Sequence, residues 1–233
     1  MHLENIVRDA HDPERLNRFW AAALGADPIE PDVCRLRFGE DDDAWLDLCF
    51  QPVPDDLPDG RTPRLHLDLL GGDRQAAVVD ELLALGATHA DIGQGDVGWV
   101  VLADPEGNPF CVMDERPEYR GTGPLAALPL DSADPDRDAT FWAELTGWVP
   151  VEGTPGTRAL RHPKGVGPLL EFCPETAPHA GKNRLHLDVR QGAAGDGPPD
   201  TARRIDDADG LPWVVYADPS GNEFCVLEPG QDG

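Results

Sequence analysis

No apolar run in the chain approaches the roughly 18 residues that a membrane-spanning helix needs. Met1-His2-Leu3-Glu4 has neither the basic nor the apolar stretch of a secretory leader, so the expected location is cytoplasmic. Positive charge is scarce: 19 Lys and Arg stand against 44 Asp and Glu, a net charge of -25. Such a field repels phosphate backbones and anionic lipid, so neither nucleic acid nor a membrane surface is expected as a partner. The five cysteines, Cys34, Cys49, Cys111, Cys173 and Cys225, are odd in number and have no CxxC spacing. In a reducing compartment they read as free, mostly buried thiols. No GxGxxG opens a helix and no GxxxxGK[ST] occurs, so a nucleotide-phosphate site is not expected; GxSxG and HExxH are also missing.

What the chain does have is itself, twice. Its 233 residues suit one large domain or two of about 115 residues each, and three ordered blocks decide between them. Asp12-Pro13, Phe19-Trp20 and Gly25 are matched by Asp134-Pro135, Phe141-Trp142 and Gly147. Arg64-Leu65-His66-Leu67-Asp68 is matched by Arg184-Leu185-His186-Leu187-Asp188. The stretch from Trp99 through Asp104, Gly107 and Asn108 to Val112 is matched by the stretch from Trp213 through Asp218, Gly221 and Asn222 to Val226. The division is a first domain over 1–116, a Pro/Gly-rich linker over 117–123, and a more degenerate second domain over 124–230.

Within each copy, Asp12 and Asp134 are placed as helix caps, with proline at the first helical position and glycine at the close. Strands are expected at Leu3–Asp9, Cys34–Phe38, Trp45–Gln51, Arg64–Leu69, Trp99–Ala103 and Phe110–Met113. A second helix is expected from Asp73 to Leu85, buried through Val78, Val79, Leu82 and Leu83. Its counterpart in the second copy meets a run of glycine and proline and is expected to be short, near Asp200–Ala208. The fold class is therefore α+β, a βαβββ module repeated within each copy.

The combined blocks, Asp-Pro…Phe-Trp…Gly, Arg-Leu-His-Leu-Asp and Asp-Pro-x-Gly-Asn-x-Phe-Cys-Val, resemble the glyoxalase/bleomycin-resistance (vicinal oxygen chelate) superfamily, in its glyoxalase-like branch. They cover nearly the whole chain. The resemblance implies two βαβββ modules curving around a cleft. It also implies a divalent metal held by one residue from each of four strands, typically His, Glu or Gln, His and Glu. Carried onto this sequence, those positions are Asn5, Cys49, His66 and Cys111 in the first copy. In the second they are Ala127, Glu171, His186 and Cys225. The central histidine is kept in both copies, while the first histidine and the last glutamate are absent.

Strand alternation sets the rest of the cleft. Leu65, Leu67 and Leu69 face the helices, which turns Arg64, His66 and Asp68 to the cleft. Leu46, Leu48 and Phe50 are core, which turns out Asp47, Cys49 and Gln51. The second copy adds Glu171, Arg184, His186, Asp188 and Cys225. Two readings stand. In one, the cysteines are small buried hydrophobes, no cofactor is held, and the cleft binds a small organic molecule, as resistance proteins of the superfamily do. In the other, a divalent metal ion sits on Cys49, His66 and Cys111, or on Glu171 and His186, and serves a lyase, isomerase or dioxygenase. For acid–base work the candidates are His66, oriented by Asp68, and then His186. Arg64 and Arg184 either pair with acids or hold a substrate carboxylate. A monomer built as a pseudo-dimer and a homodimer are both compatible. The sites assume that modules pair within a copy.

Overall fold

The computed structural model describes residues 1–39, 44–53, 63–177, 181–192, 197–205 and 211–230. The first copy runs β1 (His2–Ala10), α1 (Pro13–Leu24), β2 (Asp27–Glu30), β3 (Val33–Phe38), β4 (Ala44–Pro52), then β5 (Asp68–Gly72), α2 (Gln75–Leu85), β6 (Thr88–His89), β7 (Val100–Ala103) and β8 (Pro109–Asp114). A 3-10 turn, Pro117–Tyr119, leads into the second copy. That copy runs β9 (Leu125–Ser132), α3 (Pro135–Thr146), β10 (Val149–Val151), β11 (Arg158–Arg161), β12 (Leu169–Pro174), then β13 (Leu185–Arg190), β14 (Arg203–Arg204), β15 (Trp213–Ala217) and β16 (Glu223–Leu227).

The first helix of each copy forms as its ends dictate. The Asp12 carboxylate accepts the Arg15 backbone N–H at 3.0 Å, and Asp134 accepts that of Arg137 at 3.2 Å. Gly25 at φ 61° and Gly147 at φ 73° close the helices in the left-handed region. The α2 helix begins at Gln75, two residues later than expected, because β5 carries extended backbone through Gly72; no side chain caps it. It buries Val79 and Leu82, not the four residues expected. In the second copy the expected helix at Asp200–Ala208 is corrected: the glycines and prolines ahead of it supply no helical start, and Arg203–Arg204 instead pair with β15. Residues 206–208 lie outside the described set.

Two eight-stranded sheets result, and their composition overturns pairing within a copy. Sheet I has the order β14-β15-β16-β13-β1-β4-β3-β2, and sheet II the order β10-β11-β12-β9-β5-β8-β7-β6. Each sheet therefore joins one module from each copy, with the antiparallel pairs β1–β13 and β5–β9 at the seams. The copies keep their integrity in the core. Phe19 and Trp20 of α1 meet Phe110 of β8 edge-on at 6.1 and 5.0 Å, and Phe141 and Trp142 of α3 meet Phe224 of β16 at 5.9 and 5.4 Å. Edge-to-face contacts like these suit the ring quadrupoles. The Trp20 indole N–H donates to Asp104 and that of Trp142 to Asp218, each in the Asp-Pro-x-Gly-Asn turn of its own copy. Each copy thus reaches across from one sheet to the other, its first helix docking on its own last strand.

Charged contacts stitch the seam of sheet I. Arg190 of the second copy donates through Nε and Nη2 to both carboxylate oxygens of Glu4 in the first. Lys182 donates to both oxygens of buried Asp9 at 2.8 and 2.7 Å.

Candidate functional site

The register of the strands decides which side chains share a hollow. In sheet I, Asp47, Asn5, Asp188 and Cys225 lie in one row across β4, β1, β13 and β16. The next row carries Cys49, Val7 and His186. In sheet II, Cys111, Asp68, Ala127 and Leu169 form the matching row across β8, β5, β9 and β12. Beside it stand His66, whose backbone N–H donates to Pro129 O at 3.2 Å, and Glu171, paired in register with Pro129. The leucines between these residues point the other way: Leu65, Leu67 and Leu69 are all buried in the helix-side core, as the alternation expects. The two hollows are called cleft I and cleft II after their sheets.

The exchange of modules redistributes the expected site residues. Cys49 lies in sheet I, whereas His66 and Cys111 lie in sheet II, so the set Cys49, His66, Cys111 is not brought together. Glu171 and His186 are likewise in different sheets. The observed groupings are Asn5, Asp47, Cys49, His186, Asp188 and Cys225 in cleft I, and His66, Asp68, Cys111 and Glu171 in cleft II. Gln51 sits at the exposed end of β4. The strand expected at Arg64–Leu69 begins only at Asp68, so Arg64 precedes it, and among the described residues Arg64 forms no ion pair with an acid. Its guanidinium donates to Asn222 Oδ1 at 2.7 Å and to the carbonyls of Ala177 and Asp131, each at 3.2 Å. Arg184 is half-buried, and its Nε and Nη2 have no hydrogen-bond partner.

Both clefts repeat one constellation. His66 Nε2 stands 3.3 Å from Asp68 Oδ1, and His186 Nε2 stands 3.4 Å from Asp188 Oδ1. In each cleft the histidine, aspartate and cysteine (Cys111 or Cys225) offer ligand atoms within 4.8 Å of one another. The oxygens Asp68 Oδ1 and Asp188 Oδ1 are buried and, among the described residues, accept no well-aligned hydrogen bond beyond that imidazole contact. Burial works against a charged His66, but the Asp68 carboxylate outweighs it and raises the imidazole above its ordinary value. Burial pushes the thiols of Cys111 and Cys225 up, and the adjacent Asp68 and Asp188 push further. Without a cation these are neutral thiols.

The surroundings differ. In cleft I, Asp47 is held by Arg35 through two bonds of 2.7 and 2.8 Å, and the Asn5 amide donates to Asp188 Oδ2 at 3.2 Å. In cleft II the fully buried Ala127 stands where cleft I has Asn5. Glu171 accepts the Thr154 N–H at 2.9 Å and the Tyr119 hydroxyl at 3.4 Å. Burial pushes its carboxyl up, with Asp68 adding to the effect. The linker expected over 117–123 gives Tyr119 no role; an aromatic side chain two residues after proline, in a stretch otherwise rich in polar residues and glycine, is the one signal of it in the sequence. A cavity of about 360 Å³ between Trp45 and Trp148 includes none of the row residues from Asn5 to Cys225 in its lining.

The donor chemistry fits a divalent ion. Imidazole, carboxylate and thiol are a zinc-type set of three that leaves a position open, and the orphaned carboxylate oxygen is the group a cation would satisfy.

A family model described as "Glyoxalase-like domain" matches residues 5–113 and again 127–227, so the chain belongs to the glyoxalase-like domain family, as two tandem copies. Solved structures agree on the fold. A putative dioxygenase from Bacillus subtilis subsp. subtilis str. 168 aligns at TM-score 0.56 and 14% identity, over 100% of this chain and 86% of its own. The E144Q mutant of glyoxalase I from Zea mays aligns at TM-score 0.58 and 14% identity, over 97% of this chain and 93% of its own. No curated protein matches the chain. Among the described residues, no helix is long and apolar enough to cross a membrane.

Proposed function

We propose that the chain binds a small polar organic molecule on the His–Asp floor of a cleft assembled from both copies. One observation carries this reading: in both clefts the same buried carboxylate oxygen faces the same imidazole at 3.3–3.4 Å and, among the described residues, accepts no well-aligned hydrogen bond. A buried acceptor left unsatisfied costs about 1–3 kcal/mol. A hydroxyl or N–H of a ligand would relieve that cost, and the neighbouring imidazole would supply a second contact. For proton transfer, His66 is the first candidate and His186 the second.

The clustered donors favour a second reading, in which a divalent ion is held by His66, Asp68 and Cys111, or by His186, Asp188 and Cys225. Such an ion would act as a Lewis acid on a bound oxygen, the chemistry a lyase, isomerase or dioxygenase would need. In that case the imidazole would be a metal ligand and not a proton carrier, and the other cleft residues would orient the bound molecule.

The test is metal analysis of protein purified without a histidine tag, followed by Co²⁺ titration and a thermal-shift screen of small polar organics. The first reading expects no stoichiometric metal, and saturable stabilisation by a ligand that is lost in the double variant Asp68→Asn/Asp188→Asn. Stoichiometric metal with thiolate-to-cobalt absorption would replace it by the second. Absence of any ligand response in the metal-free protein would overturn it.

A further inference from the structure

Tyr119 belongs to the segment that joins the copies, yet it is only 1% exposed. Its ring is not in the helix-side core. It packs in a separate cluster with Val101, Cys111, Ala126, Ala127, Ala159 and Leu169, which lies on the cleft side of sheet II. Small side chains make that place: Ala126 and Ala127 are 0% exposed and Ala159 is 3% exposed. The hydroxyl reaches Glu171 Oε2 and Thr154 Oγ1, each at 3.4 Å. Arg116 lies over both Tyr119 and Trp99, at 5.7 and 5.5 Å from the ring centres. The turn itself is fastened by Thr122, fully buried, whose hydroxyl donates to Tyr119 O at 2.9 Å.

We propose that Tyr119 is an intramolecular occupant of cleft II. Its phenol fills the end of the cleft bounded by Ala127 and donates to Glu171, where an external ligand's ring and hydroxyl would otherwise lie. The His66 end stays open, its side chain 32% exposed. Cleft I has a different arrangement: Asn5 stands where cleft II has Ala127, and its amide donates to Asp188 Oδ2 at 3.2 Å. The two clefts are therefore unequal by construction. Cleft II takes from outside only what fits beside the phenol, and with that phenol removed it accepts a phenolic molecule in its place. This goes beyond the reading above and does not depend on which ligand, if any, cleft I takes.

The experiment uses the full chain, the Tyr119→Ala variant and p-cresol, which carries the deleted phenol group with one methyl besides. Alkylation of each cysteine is followed by mass spectrometry. The expected result is at least a tenfold faster alkylation of Cys111 in the variant. Saturating p-cresol suppresses that rise and toluene does so more weakly, while Cys34 and Cys225 keep their wild-type rates. Equal Cys111 rates in variant and wild type, or a rise shared by Cys34 and Cys225, would overturn the proposal. Should Tyr119→Ala be recovered only unfolded, refolding is run with and without p-cresol. A higher folded yield with p-cresol than with toluene supports the occupant; equal yields refute it. A cleft I ligand found in the thermal-shift screen stands or falls separately, because Tyr119→Ala leaves Asp188 and His186 in place.

Discussion

Replacing Glu4 by Gln tests the pairing of modules across copies, because Glu4 meets Arg190 only if β1 runs beside β13. Burial alone would raise the Glu4 carboxyl, but the His2 and Arg190 contacts outweigh it and lower the group from 4.5 to about 2. A shift of that size corresponds to about 3 kcal/mol at 1.36 kcal/mol per unit. Arg190 is 28% exposed and Glu4 is 11% exposed, so solvent screens part of the attraction. A discounted contribution of about 1–2 kcal/mol is expected. For a chain of this length that is a fall of about 2–8 °C in Tm. The folded value lies below the unfolded one. The contribution is therefore fully present above about 4.5 and is lost as pH falls towards about 2. The assay is urea denaturation of wild type, Glu4→Gln, Arg190→Met and the double variant from pH 3 to pH 7. The reasoning fails if the coupling between the two sites is zero at pH 7, or if wild type and Glu4→Gln lose stability in parallel as the solution is acidified.

Two further outcomes follow from the same seam and from cleft II. Lys182→Met leaves Asp9, whose side chain is 2% exposed, without its partner at 2.7 Å, and should cost about 1–3 kcal/mol in urea denaturation, while Lys182→Arg recovers most of it. The His66 imidazole should titrate above the ordinary histidine value by NMR, and Asp68→Asn should lower it. Since its folded value is raised, the stability it contributes is complete below the unfolded value of about 6.5 and is lost as pH climbs through the folded one.

Local signals in the sequence were legible where a single side chain decides the backbone. Asp12 and Asp134 cap their helices, and Gly25 and Gly147 end them, because a carboxylate there satisfies a free N–H group and glycine adopts the left-handed turn without steric cost. The leucines flanking His66 and His186 pack inward because a pleated strand has two faces and one of them is covered. That same alternation says nothing about which strand lies alongside. Cys49 faces a cleft whether β1 pairs with β5 or with β13, so its separation from His66 could not be read from the pattern. The match between Arg64 and Arg184 hid a difference of another kind. Arg64 ties two segments of the second copy to itself, while Arg184 lies near buried Arg8, a neighbour with no arginine counterpart at Leu130.

The seams at β1–β13 and β5–β9 make each hollow the joint property of both halves of the chain. Cutting the chain between the repeats would leave neither half with an intact hollow, however well its aromatic core survived. Each repeat contributes one module to each hollow. Cys49 and Cys111 belong to the same repeat yet serve different sites, so the two repeats cannot specialise independently, and the unit that diverges is the pair of modules on one sheet.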